Sequence, residues 1–548
     1  MSAAWWLWRA TRFDSLTRRS TMPDPYDLTQ MRGPVLATHG MVASEHPLVS
    51  QSGVAVLREG GNAFDAAIAM SALLPVVKPH RNHLGGDAYV LAYPARDRLV
   101  TAVCSGGKAP AAATLDRYAG GMPATGGAAC AVPGLVDAWQ EFHARWCTMP
   151  MADLVRPAVA AARDGIPVSR ELATMLHYAR GLFSKNPSMA DAFYRDGEPP
   201  AFGAIYRQPA LADVIEAIGA RGRAAFYEGD VAARIADAVQ RAGGYMTAGD
   251  LASHRADVLE PLSVDYRGNT VYETPPNSQG LILLEELNIV EGYDLASWGH
   301  LSPDAVHHMV EAKKLAFEDR QRTAGDRAFV DFDPSQLLTK EWATKQRAEI
   351  DQQRARTSAA PTASSDTTSF VVADEAGNVC SFIQSIFAHW GAAVAIEGTG
   401  IIMNNRMNGF SLDPSSPNVL APGKRTMHTL NTYLVFRDGK PYIIGNTPGA
   451  DYQVQTNLQV ITGIIDFGLD PQAAIDAARW GHSPAGLLVE DDMPDATQRE
   501  LARRGHDVKP VQRNVAPMGR AQAIVIDPGS GVMIAGSDAR GEGAAAGW

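Results

Sequence analysis

The amino-acid sequence predicts an α+β protein. Three observations lead there: helix-spaced apolar residues with clear start and stop signals at 47–74 and 302–317, a strand-rich last third, and a sharp change of composition just before residue 367. The chain has 548 residues, enough to bury a large core. Apolar residues make up 46% and charged residues 20%, which excludes a chain disordered throughout and a fibrous protein.

Residues 1–35 read as a loose tail. Pro47 to Arg58 has helical spacing and stops at Gly60-Gly61. Asn62 can cap a second helix, Ala63 to Leu74, which Pro75 is expected to end. Ser302-Pro303-Asp304 is a strong helix start, and Val306, Met309, Val310 and Leu315 form an apolar stripe toward Phe317. Gln352 to Ser365 is small, polar and without periodicity, so an exposed, flexible connection is expected. Thr367 to Ala373 and Val379 to Ile386 then read as strands around the turn Asp374–Asn378. Further hairpins are expected around Asp438-Gly439 and Asp527–Gly531, with a helix near Pro471 to Arg479.

Lys plus Arg number 49 against 60 Asp plus Glu, for a net charge of −11 and a pI near 5.7. That balance offers no general attraction for nucleic acid. Four cysteines at irregular spacing, with no CxxC, read as buried free thiols. The longest apolar run, Ala67 to Val77, is too short to span a membrane and contains Ser71 and Pro75. Trp5, Trp6, Leu7 and Trp8 precede Arg9 and Arg12, the wrong order for a signal peptide, so a cytoplasmic location is the expectation, with Met22 or Met31 as alternative starts. GxSxG, P-loop and HExxH motifs are absent. His80 and His83 form HxxH without a third ligand, so neither metal nor cofactor is expected.

The informative junction is Asp366-Thr367. A cut there would give Thr367 a free α-amine beside its own hydroxyl, a base and a nucleophile on one residue. The unperturbed α-amine pKa, about 7.7–8.0, suits a base at neutral pH. Before the cut, the same hydroxyl can attack the preceding carbonyl. A hairpin centred on Ala376 puts Ser385 directly opposite Thr367. The competing reading of the same residues is a Ser/Thr linker followed by an ordinary edge hairpin.

A run of motifs adds to this: Met41-Val-Ala-Ser44, Gly60-Gly-Asn-Ala-Phe-Asp-Ala-Ala67, Gly85-Gly86, Ala109-Pro-Ala-Ala-Ala-Thr114, Ala131-Val-Pro-Gly134, Phe317-Glu-Asp-Arg320, Asp366-Thr-Thr-Ser369, Gly398–Asn405, Pro448-Gly449 and Asp538-Ala-Arg540. In this order, from about Gly40 to Trp548, they resemble the γ-glutamyltransferases (glutathione hydrolases), a family of N-terminal nucleophile hydrolases. The resemblance implies an αββα sandwich. It implies one precursor cut into a large subunit, 36–366 behind the tail, and a small subunit, 367–548, which stay associated and could assemble further. It implies Thr367 as nucleophile, Ser385 as an assisting hydroxyl, and the N–H groups of Gly449 and Ala450 as the oxyanion hole.

The pocket departs from the family. Gly106 stands where the family has the Arg that binds the glutamyl α-carboxylate, and Gly409 where it has the Asp for the α-amine. Phe387 replaces an Asn, Arg406 replaces a neutral or acidic side chain, and His428-Thr429 replaces a Ser-Ser pair. Loss of the Asp removes the partner of a cationic amine, and Arg406, with His428 and Arg425 near it in sequence, supplies donors. These departures look more like the oxamate amidohydrolase branch, with water or an amine as acceptor. A true γ-glutamyltransferase, a family member that has lost catalysis and serves as a binding protein, and a biosynthetic acyltransferase stay open.

Overall fold

The computed structural model describes residues 32–358, 366–513 and 517–548. Two seven-stranded antiparallel sheets form the centre. The first runs in the order Ala544–Gly547, Gly40–Ser44, Asp366–Asp374, Val379–Phe387, Asp87–Tyr93, Thr101–Ser105, Asp257–Leu259. The second runs Val35–Ala37, Met533–Ser537, Gln522–Ile526, Lys440–Asn446, Tyr433–Arg437, Asn269–Glu273, Leu262–Tyr266. Ala43, Tyr89 and Val371 from the first sheet meet Leu434, Ile444 and Ile524 from the second in one apolar layer. The outer face of the first sheet is covered by helices Pro47–Arg58 and Ala63–Val77, with Met151–Asp164 packed behind them. Gly280–Val290, Pro303–Thr323 and Tyr452–Ile465 cover the second. This is an αββα sandwich.

The helix Ala63–Val77 does not end at Pro75 but passes through it. A proline inside a helix leaves the carbonyl four residues earlier without its N–H. Here that carbonyl belongs to Ser71, and the Gln384 side chain reaches across from the sheet to donate to it at 3.3 Å. The same amide bonds the Ser71 hydroxyl and the Asn82 side chain. A long-range partner therefore offsets a local stop signal.

Three other expectations are corrected. Val35 belongs to an edge strand, so the expected tail loses its last residue to the second sheet; residues 1–31 lie outside the described residues. The helix at Pro471 ends at Asp476, because Trp480–Ser483 is a strand. Residues 352–358 are pinned rather than loose: Ala355 N–H donates to the Arg504 carbonyl, Arg356 N–H to Glu311, and Lys314 to the Arg356 carbonyl. The remainder of that expected connection, 359–365, lies outside the described residues.

The hairpin Asp366–Phe387 sits in the middle of the first sheet, between Gly40–Ser44 and Asp87–Tyr93, so it is no edge hairpin. The hairpins at 438–439 and 527–531 form, the first with positive φ at both Asp438 and Gly439. All four cysteines are free thiols, with Cys104, Cys130 and Cys380 buried. Among the described residues, no helix is long and apolar enough to cross a membrane.

Candidate active site

Thr367 is fully buried near the start of its strand. From Thr368 to Ala373 the hairpin keeps the expected register, but Asp366 pairs with Phe387 while Thr368 pairs with Gln384. Two residues, Ser385 and Ile386, therefore face the single Thr367. Ser385 is not the simple cross-strand partner of Thr367; it is half of a β-bulge opposite it, the kind of irregularity that re-aims a side chain. The extra residue is accommodated because Ser385 pairs with Asp87 on the next strand, while Ile386 N–H donates to the Arg81 carbonyl. A side chain at Gly86 would strike the Ser385 carbonyl, which explains the glycine there.

Asp87 organises the neighbouring pocket. Its Oδ2 accepts from Arg406 Nε at 2.7 Å and from His428 Nε2 at 3.2 Å, and its Oδ1 accepts from Gly107 N–H at 2.9 Å. Burial alone would push this carboxyl up; Arg406 and His428 outweigh it and hold it below its ordinary range. Burial, reinforced by the Arg406 charge, lowers His428 to about 4. The imidazole is thus neutral at physiological pH, with Nε2–H on Asp87 and Nδ1 accepting from Leu430 N–H at 3.2 Å.

The Arg406 guanidinium lies over the Phe387 ring, 4.7 Å from its centroid. Phe387 adopts a φ of 79°, a left-handed conformation unfavourable for an aromatic residue, and its N–H donates to the Ser385 hydroxyl at 2.8 Å. Arg406 is 1% exposed, yet its Nη1 and Nη2 have no hydrogen-bond partner among the described residues. Two buried cationic donors left in this way form an acceptor-binding fork. Arg425 does not join it, because Asp257 and the carbonyls of Gly106 and Arg255 take its donors. Gly106 lies under the pocket wall: a Cβ there would strike the Tyr89 hydroxyl and come within 3.2 Å of the His428 ring.

Gly449 and Ala450 form the turn before helix Tyr452–Ile465, with φ of 124° and 52°. Ala450 holds this conformation against its side-chain preference. Gln279 secures the turn, donating to the carbonyls of both Ala450, at 3.0 Å, and Thr429, at 2.8 Å. Arg320 in turn holds Gln279 Oε1 at 2.9 Å and Asp451. Thr429 thus contributes its carbonyl to this support, and its neighbour His428 links the turn to Asp87 and so to the Ser385 strand. Asn446, four residues before Ala450, donates to the Phe370 carbonyl at 2.9 Å and ties the second sheet onto the strand that carries Thr367.

The structure therefore gathers Ser385, Phe387, Arg406, His428 and Gly106 around Asp87, and links Thr429, Gly449 and Ala450 to them through Gln279. Asp87, Gln279 and Arg320 were missed. Asp87 carried a signal: it is the lone charge opening the apolar run Asp87–Tyr93, all of it buried. The HxxH pair does not converge: His80 faces Glu171, whereas His83 Nδ1 accepts from Ile402 N–H. His307, Glu311 and His506 do bring three ligand-type atoms within 4.8 Å of one another. Lys314 holds Glu311 at 2.7 Å, however, and Arg504 adds a second positive charge near the two imidazoles, so the surroundings repel a cation. A cavity of about 460 Å³ between Phe193, Tyr206, Leu211 and Glu397 contains no residue of the site.

Two antiparallel sheets packed face to face between helical layers make the αββα sandwich of an enzyme of the N-terminal nucleophile hydrolase type. Residues 49–548 match the gamma-glutamyltranspeptidase family model. The chain is 40% identical over 526 residues to the glutathione hydrolase-like YwrD proenzyme of Bacillus subtilis, covering 94% of this chain and 100% of that one. It is 36% identical over 530 residues to the oxamate amidohydrolase proenzyme of Klebsiella pneumoniae, covering 94% and 99%. The crystal structure of cephalosporin acylase from Bacillus halodurans superposes with a TM-score of 0.89 at 36% identity, covering 96% of this chain and 99% of that one. The chain belongs to the γ-glutamyltranspeptidase family.

Proposed function

We propose that the chain is a precursor cut before Thr367, and that the mature enzyme hydrolyses a small amide bearing a carboxylate beside the scissile carbonyl, as oxamate does. The observation that carries the substrate class is the pair of buried Arg406 nitrogens that have no hydrogen-bond partner among the described residues, beside an Asp87 carboxylate already spent on Nε. An incoming carboxylate would accept both. The Asp of the family that receives an α-amine is Gly409 here, so a γ-glutamyl group would find no partner for its ammonium. Two relatives, an oxamate amidohydrolase and a cephalosporin acylase, are named for substrates other than glutathione, whereas the YwrD relative is named glutathione hydrolase-like.

In this reading Thr367 Oγ attacks the amide carbonyl and passes its proton to its own α-amine. The N–H groups of Gly449 and Ala450 stabilise the oxyanion, and Ser385 assists from the bulge. The ammonium then protonates the leaving nitrogen, and water resolves the acyl-enzyme. Residues 36–366 and 367–548 would form the large and small subunits.

Intact mass under denaturing conditions, with sequencing of the fragment ends, tests the cut. A fragment beginning Thr-Thr-Ser-Phe-Val is expected, and Thr367→Ala is expected to stay whole and inactive. A wild-type chain that stays whole would favour a non-catalytic family member. Activity is then compared on oxamate-type amides and γ-glutamyl anilides. Preference for the anilide would return the enzyme to glutathione chemistry, and product formation that requires an added amine would make it a transferase.

A further inference from the structure

One buried acid near the nucleophile has no part in the reaction described above. The strand Gly40–Ser44 pairs with the nucleophile strand up to Ser44, opposite Phe370, and Glu45 then leaves toward helix Pro47–Arg58. Glu45 is 1% exposed. Its Oε1 accepts from the Ser369 N–H at 2.9 Å. Its Oε2 is buried and has no hydrogen-bond partner among the described residues.

Backbone N–H groups of a strand alternate between its two edges, so the nitrogens of residues 367 and 369 point to the same edge. The extra residue of the bulge lies in the partner strand, and the alternation of the nucleophile strand is intact. The nitrogen of Thr367 therefore points toward the edge where Gly40–Ser44 has peeled away and the Glu45 carboxylate stands.

We propose that Glu45 is a positioning residue for the base: in the mature enzyme its carboxylate faces the α-amine of Thr367 and balances the ammonium formed during acyl transfer. The inference rests on Thr367 being the amino-terminal nucleophile. As the Oγ–carbon bond forms, the Oγ proton moves to the α-amine. The resulting ammonium sits against Glu45 until it gives that proton to the leaving nitrogen as the carbon–nitrogen bond breaks.

The electrostatic setting fits this role. In the uncut chain, burial raises Glu45 to about 7 against the pull of Arg81, Lys78 and Arg520, with Glu171 acting in the same direction as burial. Arg81 and Lys78 are themselves bonded to Glu171, and among the described residues Glu45 forms no ion pair with either or with Arg520. An ammonium delivered by the cut would supply one. Conversely, an α-amine in so dry a place without a carboxylate would fall well below its ordinary range.

The test is the α-amine pKa of the cut protein. It is read from the pH dependence of α-acetylation of the small fragment by limiting acetic anhydride, followed by mass. Glu45→Gln keeps the volume and the acceptor for Ser369 N–H but removes the charge. The wild-type amine is expected to titrate near its ordinary value of about 7.7–8.0. In Glu45→Gln it is expected to fall by roughly 1–3 units, with the acid limb of kcat/KM moving the same way. An unchanged amine pKa in a cut Glu45→Gln protein overturns the inference and leaves the nucleophile assignment standing. If Glu45→Gln stays uncut, the wild type decides alone: an amine already far below the ordinary range overturns the inference. A wild-type chain that is never cut overturns the assignment of Thr367, and this inference with it.

Discussion

Arg406 shows how one residue can be found in a sequence while its meaning is not. Its presence in place of a neutral or acidic side chain was legible, and so was the positive charge it brings. That Asp87 would take Nε and leave the two terminal nitrogens unspent was not, because the two residues are 319 positions apart and meet only when the strand of Asp87 and the short 3-10 helix opened by Arg406 are both in place. Gly106 is similar: it reads as a lost arginine, and only the packing of Tyr89 and His428 shows that a side chain has no room there. Arg406→Lys keeps the charge and loses the planar fork. Charged hydrogen bonds contribute about 1.5–3 kcal/mol, so kcat/KM on a carboxylated amide should fall roughly ten- to hundredfold. Hydrolysis of an uncharged amide of the same size should change much less. Equal losses on both would show that Arg406 shapes the pocket rather than binding the carboxylate.

At the scale of elements, the hairpin Asp366–Phe387 was legible because period-two alternation and a turn with Asp374 and Gly377 are local signals. The register was right for six residues and failed at the seventh, since a bulge depends on what the neighbouring strand offers. Pro75 failed for the same kind of reason: the local rule was sound, and a distant side chain overrode it. Replacing Gln384 with Met leaves the Ser71 carbonyl without a partner in the core. Such a loss costs about 1–3 kcal/mol, visible as a lower Tm. Adding Pro75→Ala restores a backbone N–H at the place where it is missing, and the double variant should regain part of that Tm. A double variant no more stable than the single one would mean that Gln384 stabilises the core only through Asn82 and the Ser71 hydroxyl.

The whole molecule carries two opposed sets of buried titratable groups. Burial lowers His46, His80, His307 and His428 to about 4, and His83 and His254 to about 3. The unfolded chain takes up these protons from about pH 6.5 downward while the folded one refuses them, so stability falls as pH drops through that window. Burial raises Glu45 and Glu285 to about 7 and Glu286 to about 8. These keep their protons in the fold at a pH where the unfolded chain has lost them, so their contribution falls as pH rises from about 4.5 to 8. The histidines are the more numerous set below pH 6.5. Above it the carboxyls are opposed by Lys313, which burial lowers to about 7, so that its contribution grows as pH rises from there toward 10.5. The Tm should therefore rise from pH 4 to about 6.5 in calorimetry and stop rising between about 6.5 and 8. A Tm that climbs through pH 8 as steeply as it does below 6.5 would show that these glutamates are ionised in the fold. Composition gave no hint of this balance, because it depends on which acids and imidazoles are enclosed.

Both sheets are woven from the two pieces that a cut before Thr367 would create. The first takes Gly40–Ser44 from one and the strands on either side of it, Ala544–Gly547 and all but the first residue of Asp366–Asp374, from the other. The fragments should therefore elute together from a sizing column in native buffer and part only in denaturant. Separate elution in native buffer would contradict the weave.

The same weave makes maturation a one-way step in the life of the molecule. Before the cut, a denatured chain can find its way back alone, since every strand is tethered to its neighbours. Afterwards the instructions are divided between two polypeptides that must first meet, and recovery depends on how concentrated they are. An old enzyme molecule and a newly made one share the same architecture and differ in whether they can be rebuilt: endurance in the mature form comes from the slowness of its opening, not from its ability to return.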